Sequence, residues 1–170
     1  MTEPAEFRDE PRYEAAAKKE YANDRIAVSW EPAFCIHTAN CLRGLPEVFD
    51  SLRRPWIEVD RASADEVAEV VTTCPTGALH FRRLDGGAQE EGPAEPVVQM
   101  RPNGPLFVRG KVRIEDASGH VIREDTRVAL CRCGGSENKP FCDGTHRRIG
   151  FRTGPAGSPA VTQPPELGNR

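Results

Sequence analysis

Apolar residues recur in short runs along this chain, and the period of each run predicts its element. Residues 25–30 alternate around Ile26, Val28 and Trp30 and read as a strand. Residues 45–49 suggest a turn of helix, and residues 56–59 a second short strand. Ser63 is followed three positions later by Glu66, a capping box, and the apolar positions through Val71 keep helical spacing until Cys74-Pro75 stops the helix. A closing strand follows at residues 78–81. Further on, residues 106–108, 111–114 and 126–130 are strand-like, with a turn at 117–120, and residues 11–21 read as a short helix in the N-terminal lead.

Those elements predict an α+β chain in five parts. A lead covers residues 1–24, a small α+β unit 25–84, a linker 85–100, a small β-rich unit 101–152 and a flexible tail 153–170. The linker rests on the Gly, Pro and acidic residues between Leu84 and Pro96.

Composition supports small units. Only 38% of the 170 residues are hydrophobic and 6% aromatic, with 15 Gly and 15 Pro, so each core is modest and gains from a metal or disulfide staple. The chain has six cysteines. The first residues are acidic and polar, without the basic start and apolar run of a signal peptide, and no stretch reaches membrane-spanning length. The expectation is a cytoplasmic protein with no membrane partner, in which clustered thiols bind metal rather than pair as disulfides. Residues 101–150 carry ten Lys and Arg against six Asp and Glu, within a chain of net charge -3. This basic half could dock the acidic half or steer a partner, but its charges are too interspersed for a nucleic-acid partner.

The chemistry concentrates between Cys131 and His146. Cys131 and Cys133 are separated by one residue, and Gly134-Gly135 permits the tight turn that this spacing needs. Pro140 stiffens the approach to Cys142, and Asp143-Gly144 turns the chain toward His146. Zinc accepts three cysteines and a histidine, although structural zinc sites usually open with a wider cysteine spacing. A two-iron cluster can divide the same ligands between its irons. The run Cys131-x-Cys133-x2-Ser136-x3-Pro140-x-Cys142-Asp143-Gly144-Thr145-His146, with Thr145 in place of serine, resembles the signature of CDGSH iron-sulfur domains, the mitoNEET-like family. Residues 105–110 and Gly150-Phe151 are similar to flanking features of that family. The resemblance implies a [2Fe-2S] cluster held by Cys131, Cys133, Cys142 and His146. An imidazole ligand in place of a thiolate raises the potential, as in Rieske centres. It also makes the cluster sensitive to acid.

Cys35 and Cys41, with Cys74-Pro75 about thirty residues on, fit three of the four positions of a bacterial-type ferredoxin motif, and Thr38 stands where the second cysteine belongs. Residues 25–84 resemble the divergent mono-cluster ferredoxins, with Cys-Ile-His at 35–37 and Leu-Pro-Glu-Val-Phe at 45–49. Three cysteines suit a [3Fe-4S] cluster. A [4Fe-4S] cluster needs a fourth ligand from His37 or a solvent oxygen, with His37 preferred as a hydrogen-bonding neighbour. Trp30 and Trp56 read as core residues, and His80 and His120 as structural or surface groups.

No nucleophile-base pair or phosphate loop suggests an enzyme. The expected function is electron transfer between redox partners, a reductase or an acceptor, through two clusters. The alternative is cluster storage or transfer to an apo iron-sulfur acceptor, or redox and pH sensing. Either a monomer or a homodimer is compatible with the resemblance.

Overall fold

The computed structural model describes residues 17–154 and 160–161. Asn23 starts the first sheet: its side-chain oxygen accepts from the backbone N–H of Arg25 and of Ile26, folding β1 (Lys19–Ala22) back on β2 (Ile26–Trp30). β3 (Leu79–Arg83) closes the sheet in the order β1-β2-β3, all antiparallel, with Val28 opposite Phe81. Strand pairing with β2 takes the end of the expected 11–21 helix into β1. The rest of that helix lies outside the described residues, apart from residues 17–18, which are irregular.

Two helices complete this half. α1 (Asn40–Gly44) is short, whereas α2 (Ala64–Thr72) has the expected capping box, the Ser63 hydroxyl accepting from Glu66 N and the Glu66 carboxylate from Ser63 N. Such a cap stabilises a helix by about 1 kcal/mol. Ala64, Val67, Ala68 and Val71 form its buried stripe and pack with Ile26, Val28, Val48, Phe49 and Ile57. Residues 56–59 do not form the expected strand. Backbone bonds from Asp50 N to Trp56 O and from Glu58 N to Val48 O make one isolated bridge, Phe49 to Ile57. The chain then winds into a turn of 3-10 helix at Val59–Arg61, so the ladder cannot grow.

The second sheet runs β4-β5-β6, antiparallel, from β4 (Val97–Met100), β5 (Leu106–Glu115) and β6 (Val121–Leu130). The two expected strands 106–108 and 111–114 are one strand with a register shift between Arg109 and Val112. Gly110 sits there at φ 107°, and a Cβ on it would lie 2.9 Å from Pro96 Cα. A four-residue helix α3 (Thr145–Arg148) follows, then β7 (Arg152–Thr153), which pairs with β8 (Ala160–Val161). Apart from β8 and Thr153-Gly154, the tail lies outside the described residues.

The two halves share a core. Phe34 and Ala78 of the first pack with Val108, Val128 and Phe141 of the second, the Phe34 and Phe141 rings meeting edge-on at 5.0 Å. Ile36 likewise packs with Phe107, Ala129 and Cys142. Arg127, 5% exposed, reaches from β6 into the first half. It donates to Val71 O at 2.6 Å, Cys74 O at 2.8 Å, Leu79 O at 2.8 Å and Glu90 Oε1 at 2.6 Å. Val71 O belongs to the last turn of α2, where it also accepts from Cys74 N, so the guanidinium adds a second donor at that helix end. Residues 85–100, expected as a linker, hold the seam. Gln89 exchanges two side-chain bonds with the Arg83 backbone, Glu90 also accepts from Phe81 N and Thr126 Oγ1, and β4 joins the second sheet.

Candidate metal centres

In the second half, β6 delivers Cys131 to the mouth of a closed loop. Cys131 N donates to Pro140 O and Cys142 N to Ala129 O, which sets the loop's two ends side by side. Inside it, the Ser136 hydroxyl donates to Phe141 O at 2.7 Å and accepts from Asn138 N at 3.0 Å. The buried Asn138 amide donates across the seam to Ala33 O. Gly134 and Gly144 turn at φ 76° and 88°, and Asp143 accepts from Glu137 N and Thr145 N. α3 then carries His146 back, and Phe151 N holds its carbonyl.

The four expected donors meet as two pairs. Cys131 Sγ lies 3.9 Å from Cys133 Sγ, and Cys142 Sγ lies 3.4 Å from His146 Nδ1. With metal-donor bonds near 2.0–2.3 Å, two donors on one tetrahedral metal stand about 3.5–3.8 Å apart. Each pair thus has the span of one metal's edge, as a cluster of two irons requires. Among the described residues no three His, Cys, Asp or Glu side chains converge on a single-ion site. Gly135 N and Gly144 N each donate to a cysteine sulfur, Cys133 and Cys142, at 3.4 Å. Burial pushes the Cys142 thiol up to about 11 and raises Cys133, while burial and then Arg147 lower His146. The raised Cys133 and Cys142 thiols keep their protons until a metal displaces them, so metal binding there releases protons.

The first half builds its site from separate elements. A turn of 3-10 helix at Pro32–Phe34 presents Cys35, α1 carries Cys41, and Cys74 follows the end of α2. Between the first two, His37 and Ala39 adopt φ 54° and 59°, and the loop is tied down by Asn40 Nδ2 to Thr73 O and Arg43 Nη2 to Thr38 O. Cys35, Cys41 and Cys74 all line one cavity of about 380 Å³. His37, on the same wall, is exposed and places Nδ1 3.8 Å from Cys35 Sγ. Cys74 Sγ lies 3.6 Å from Thr76 Oγ1. Burial, then the neighbouring Cys74, pushes the Cys41 thiol up to about 11. Burial also raises Cys35, with partial opposition from the His37 backbone N–H.

Trp30 and Trp56 also line this cavity, with rings 4.9 Å apart. Both indole Nε1 atoms are buried with no hydrogen-bond partner among the described residues. Buried donors of this kind normally find an acceptor. Three thiols and two unpaired N–H groups around one cavity fit an iron-sulfur group, whose sulfurs accept hydrogen bonds. Sequence reasoning placed both tryptophans in the core; their spacing carries no sign of the cavity wall.

His80 has a structural role that the sequence did not specify. Its Nδ1 lies 2.9 Å from Glu90 Oε1 and its Nε2 3.3 Å from Asp125 Oδ1, both at the seam. The only signal for Arg127 is a charge inside the apolar run 126–130. His120 lies in the turn between β5 and β6, where its backbone N–H donates to Asp116.

Residues 21–84 match the family described as divergent 4Fe-4S mono-cluster, and residues 103–147 the family described as iron-binding zinc finger, CDGSH type. The uncharacterized protein YjdI of Escherichia coli, from strains K12 and O157:H7, is 40% identical over 62 residues, 36% of this chain and 82% of YjdI. Among the described residues no helix is long and apolar enough to cross a membrane. By these matches the chain belongs to the divergent 4Fe-4S mono-cluster family and carries, in the same polypeptide, an iron-binding domain of the CDGSH type.

Proposed function

We propose that this chain is a non-enzymatic electron carrier with two iron-sulfur centres. Cys131, Cys133, Cys142 and His146 would hold a [2Fe-2S] group. Cys35, Cys41 and Cys74 would hold a [4Fe-4S] group, one of whose irons takes a ligand other than cysteine. The six cysteines of the chain divide evenly between the two sites. When bound, each group supplies a one-electron redox couple.

The observation that carries the reading is the shared wall between the sites. Ile36, next to Cys35, packs in one buried cluster with Cys142. Phe34 and Phe141, which neighbour Cys35 and Cys142, meet edge-on across the same seam. Packed side chains therefore separate the two ligand sets, a short, dry path of the kind that electron exchange between centres needs. The glycine amides donate to Cys133 and Cys142, and the unpaired tryptophan N–H groups at the other cavity would be donors to a group bound there; hydrogen bonds of this kind set potentials.

The test is electron paramagnetic resonance of anaerobically purified protein during a redox titration, with iron and zinc analysis. The expected result is two iron-sulfur signals that reduce reversibly, with mutual spin broadening when both centres are paramagnetic. Two non-interacting signals would sink the two-centre carrier. Rapid stoichiometric loss of the C-terminal cluster to an apo-ferredoxin would favour the storage and transfer reading instead.

A further inference from the structure

A second cleft, of about 590 Å³, opens between the halves on the side where both ligand loops reach the surface. Thr38, from the loop between Cys35 and Cys41, lines it together with His146. Five arginines surround them: Arg43, Arg101, Arg109, Arg147 and Arg152. They come from α1, the β4–β5 loop, β5, α3 and β7, so the fold gathers charges that the sequence scatters. Among the described residues no aspartate or glutamate lines this cleft.

All five guanidinium groups belong to exposed residues, and two are already fixed by the loops they border. Arg43 Nη2 donates to Thr38 O at 2.8 Å, and Arg147 Nη1 to Ile36 O at 2.6 Å. A guanidinium has five N–H donors, so these bonds leave most of each fork available to an outside carboxylate. Fixing the side chain beforehand also lowers the entropy lost on docking. The concave seat focuses the positive potential of five neighbouring charges in a chain whose net charge is -3.

We infer that this arginine cleft is the docking seat for an acidic electron-transfer protein, one whose carboxylates ring its own redox centre. The inference rests on the carrier reading for its purpose, and on the cleft's charge and position for its chemistry. A protein seated here lies against the loops of both sites at once. Among the described residues the cleft's only aromatic rings are those of Phe107 and His146, both buried, so it offers no exposed stacking platform of the kind single-stranded nucleic acid uses. Electrostatic docking of this sort gives fast, salt-sensitive association.

The experiment uses the full-length holoprotein and a fluorescently labelled plant-type [2Fe-2S] ferredoxin as the acidic probe, with cytochrome c as the basic control. Binding is read by anisotropy. The expected result is ferredoxin binding that weakens about tenfold or more between about 20 mM and 200 mM salt, with little cytochrome c binding. The double reversal Arg109→Glu/Arg152→Glu should weaken it by about tenfold or more, while Arg82→Glu, outside the cleft, leaves it within about twofold. Unchanged visible absorbance and circular dichroism of both variants show that fold and clusters survive.

Absent binding, or binding indifferent to the double reversal, would overturn the inference. Equal, reversal-sensitive retention of a single-stranded oligonucleotide would overturn it in favour of a general polyanion site. Self-association at low salt that the same reversal abolishes would overturn it in favour of a second copy of this chain. Reversible reduction by dithionite, measured on the same sample, tests the carrier reading separately. If reduction fails while salt-sensitive ferredoxin binding persists, the docking surface stands and the carrier reading falls.

Discussion

In the C-terminal loop three cysteines and a histidine lie within sixteen residues, and backbone bonds at Cys131 and Cys142 close that loop on itself. In the N-terminal cavity Cys35, Cys41 and Cys74 hang on three separate elements, and they meet only because β2, α1 and α2 are packed. The first site is local and carries its donors in tight pairs. The second depends on tertiary structure, and its wall of tryptophans and half-buried thiols holds together only as well as the core behind it. The local site should therefore survive damage that empties the other.

The strongest way to break that comparison is Arg127→Met. Arg127 lies on the strand that leads to Cys131, yet its guanidinium grips Val71 O, Cys74 O and Leu79 O in the opposite half. Methionine fills similar space but takes the guanidinium donor from those carbonyls and the buried positive partner from the Glu90 carboxylate, which keeps only Phe81 N, Thr126 Oγ1 and His80. Removing one partner from a buried ionic network costs about 3–5 kcal/mol. The expected outcome is a large drop in the urea midpoint, with loss of the N-terminal iron-sulfur signal before the C-terminal one in resonance spectra. Loss of both signals in parallel would show that the sites stand or fall together.

A second, smaller effect comes through pH. Burial alone would lower the His80 pKa, but hydrogen bonds and charge from Asp125 and Glu90 raise it from 6.5 to about 9. Its contribution to stability is therefore complete below pH 6.5 and is lost as pH rises through about 9. Burial would raise Glu90, yet His80 and Arg127 hold it at about 2 instead of 4.5, so its contribution is present above pH 4.5 and lost as pH falls toward 2. The seam is firmest between those limits. Arg127, with a nitrogen 3.4 Å from His80 Nδ1, belongs to the same group of charges. Melting temperature should fall from about pH 7 to about pH 9.5 in the natural protein, and fall less in His80→Gln. Equal slopes in the two proteins would remove His80 from the seam.

The same contrast explains what the sequence could reveal. The donors of the C-terminal loop are legible because a metal ligand set within one loop is a matter of spacing, and the α2 capping box is legible for the same reason. The three N-terminal cysteines are readable as a set, but their cavity wall is not: Trp30 and Trp56 look like any core aromatics until their N–H groups are found without a partner among the described residues. Residues 85–100 looked like a linker because composition hides what Gln89 and Glu90 do with their side chains. The short apolar run at 56–59 promised a strand, yet only one bridge formed before the chain wound into a 3-10 turn.

The finest test of the comparison is Trp30→Phe. It keeps an aromatic ring against Trp56 and deletes one N–H group from the N-terminal cavity wall, leaving the C-terminal loop untouched. Hydrogen bonds to the sulfurs of an iron-sulfur group favour its more negative, reduced state, so losing one makes reduction harder. If the indole N–H contributes about 1 kcal/mol to that preference, the N-terminal potential moves down by about 40 mV. The C-terminal potential should not move. An equal shift at both centres would mean that the substitution acts through the shared core at Phe34, and a shift upward would mean that the indole favours the oxidised state. Only a downward shift confined to the N-terminal centre fits a site whose wall, rather than its loop, supplies the hydrogen bonds.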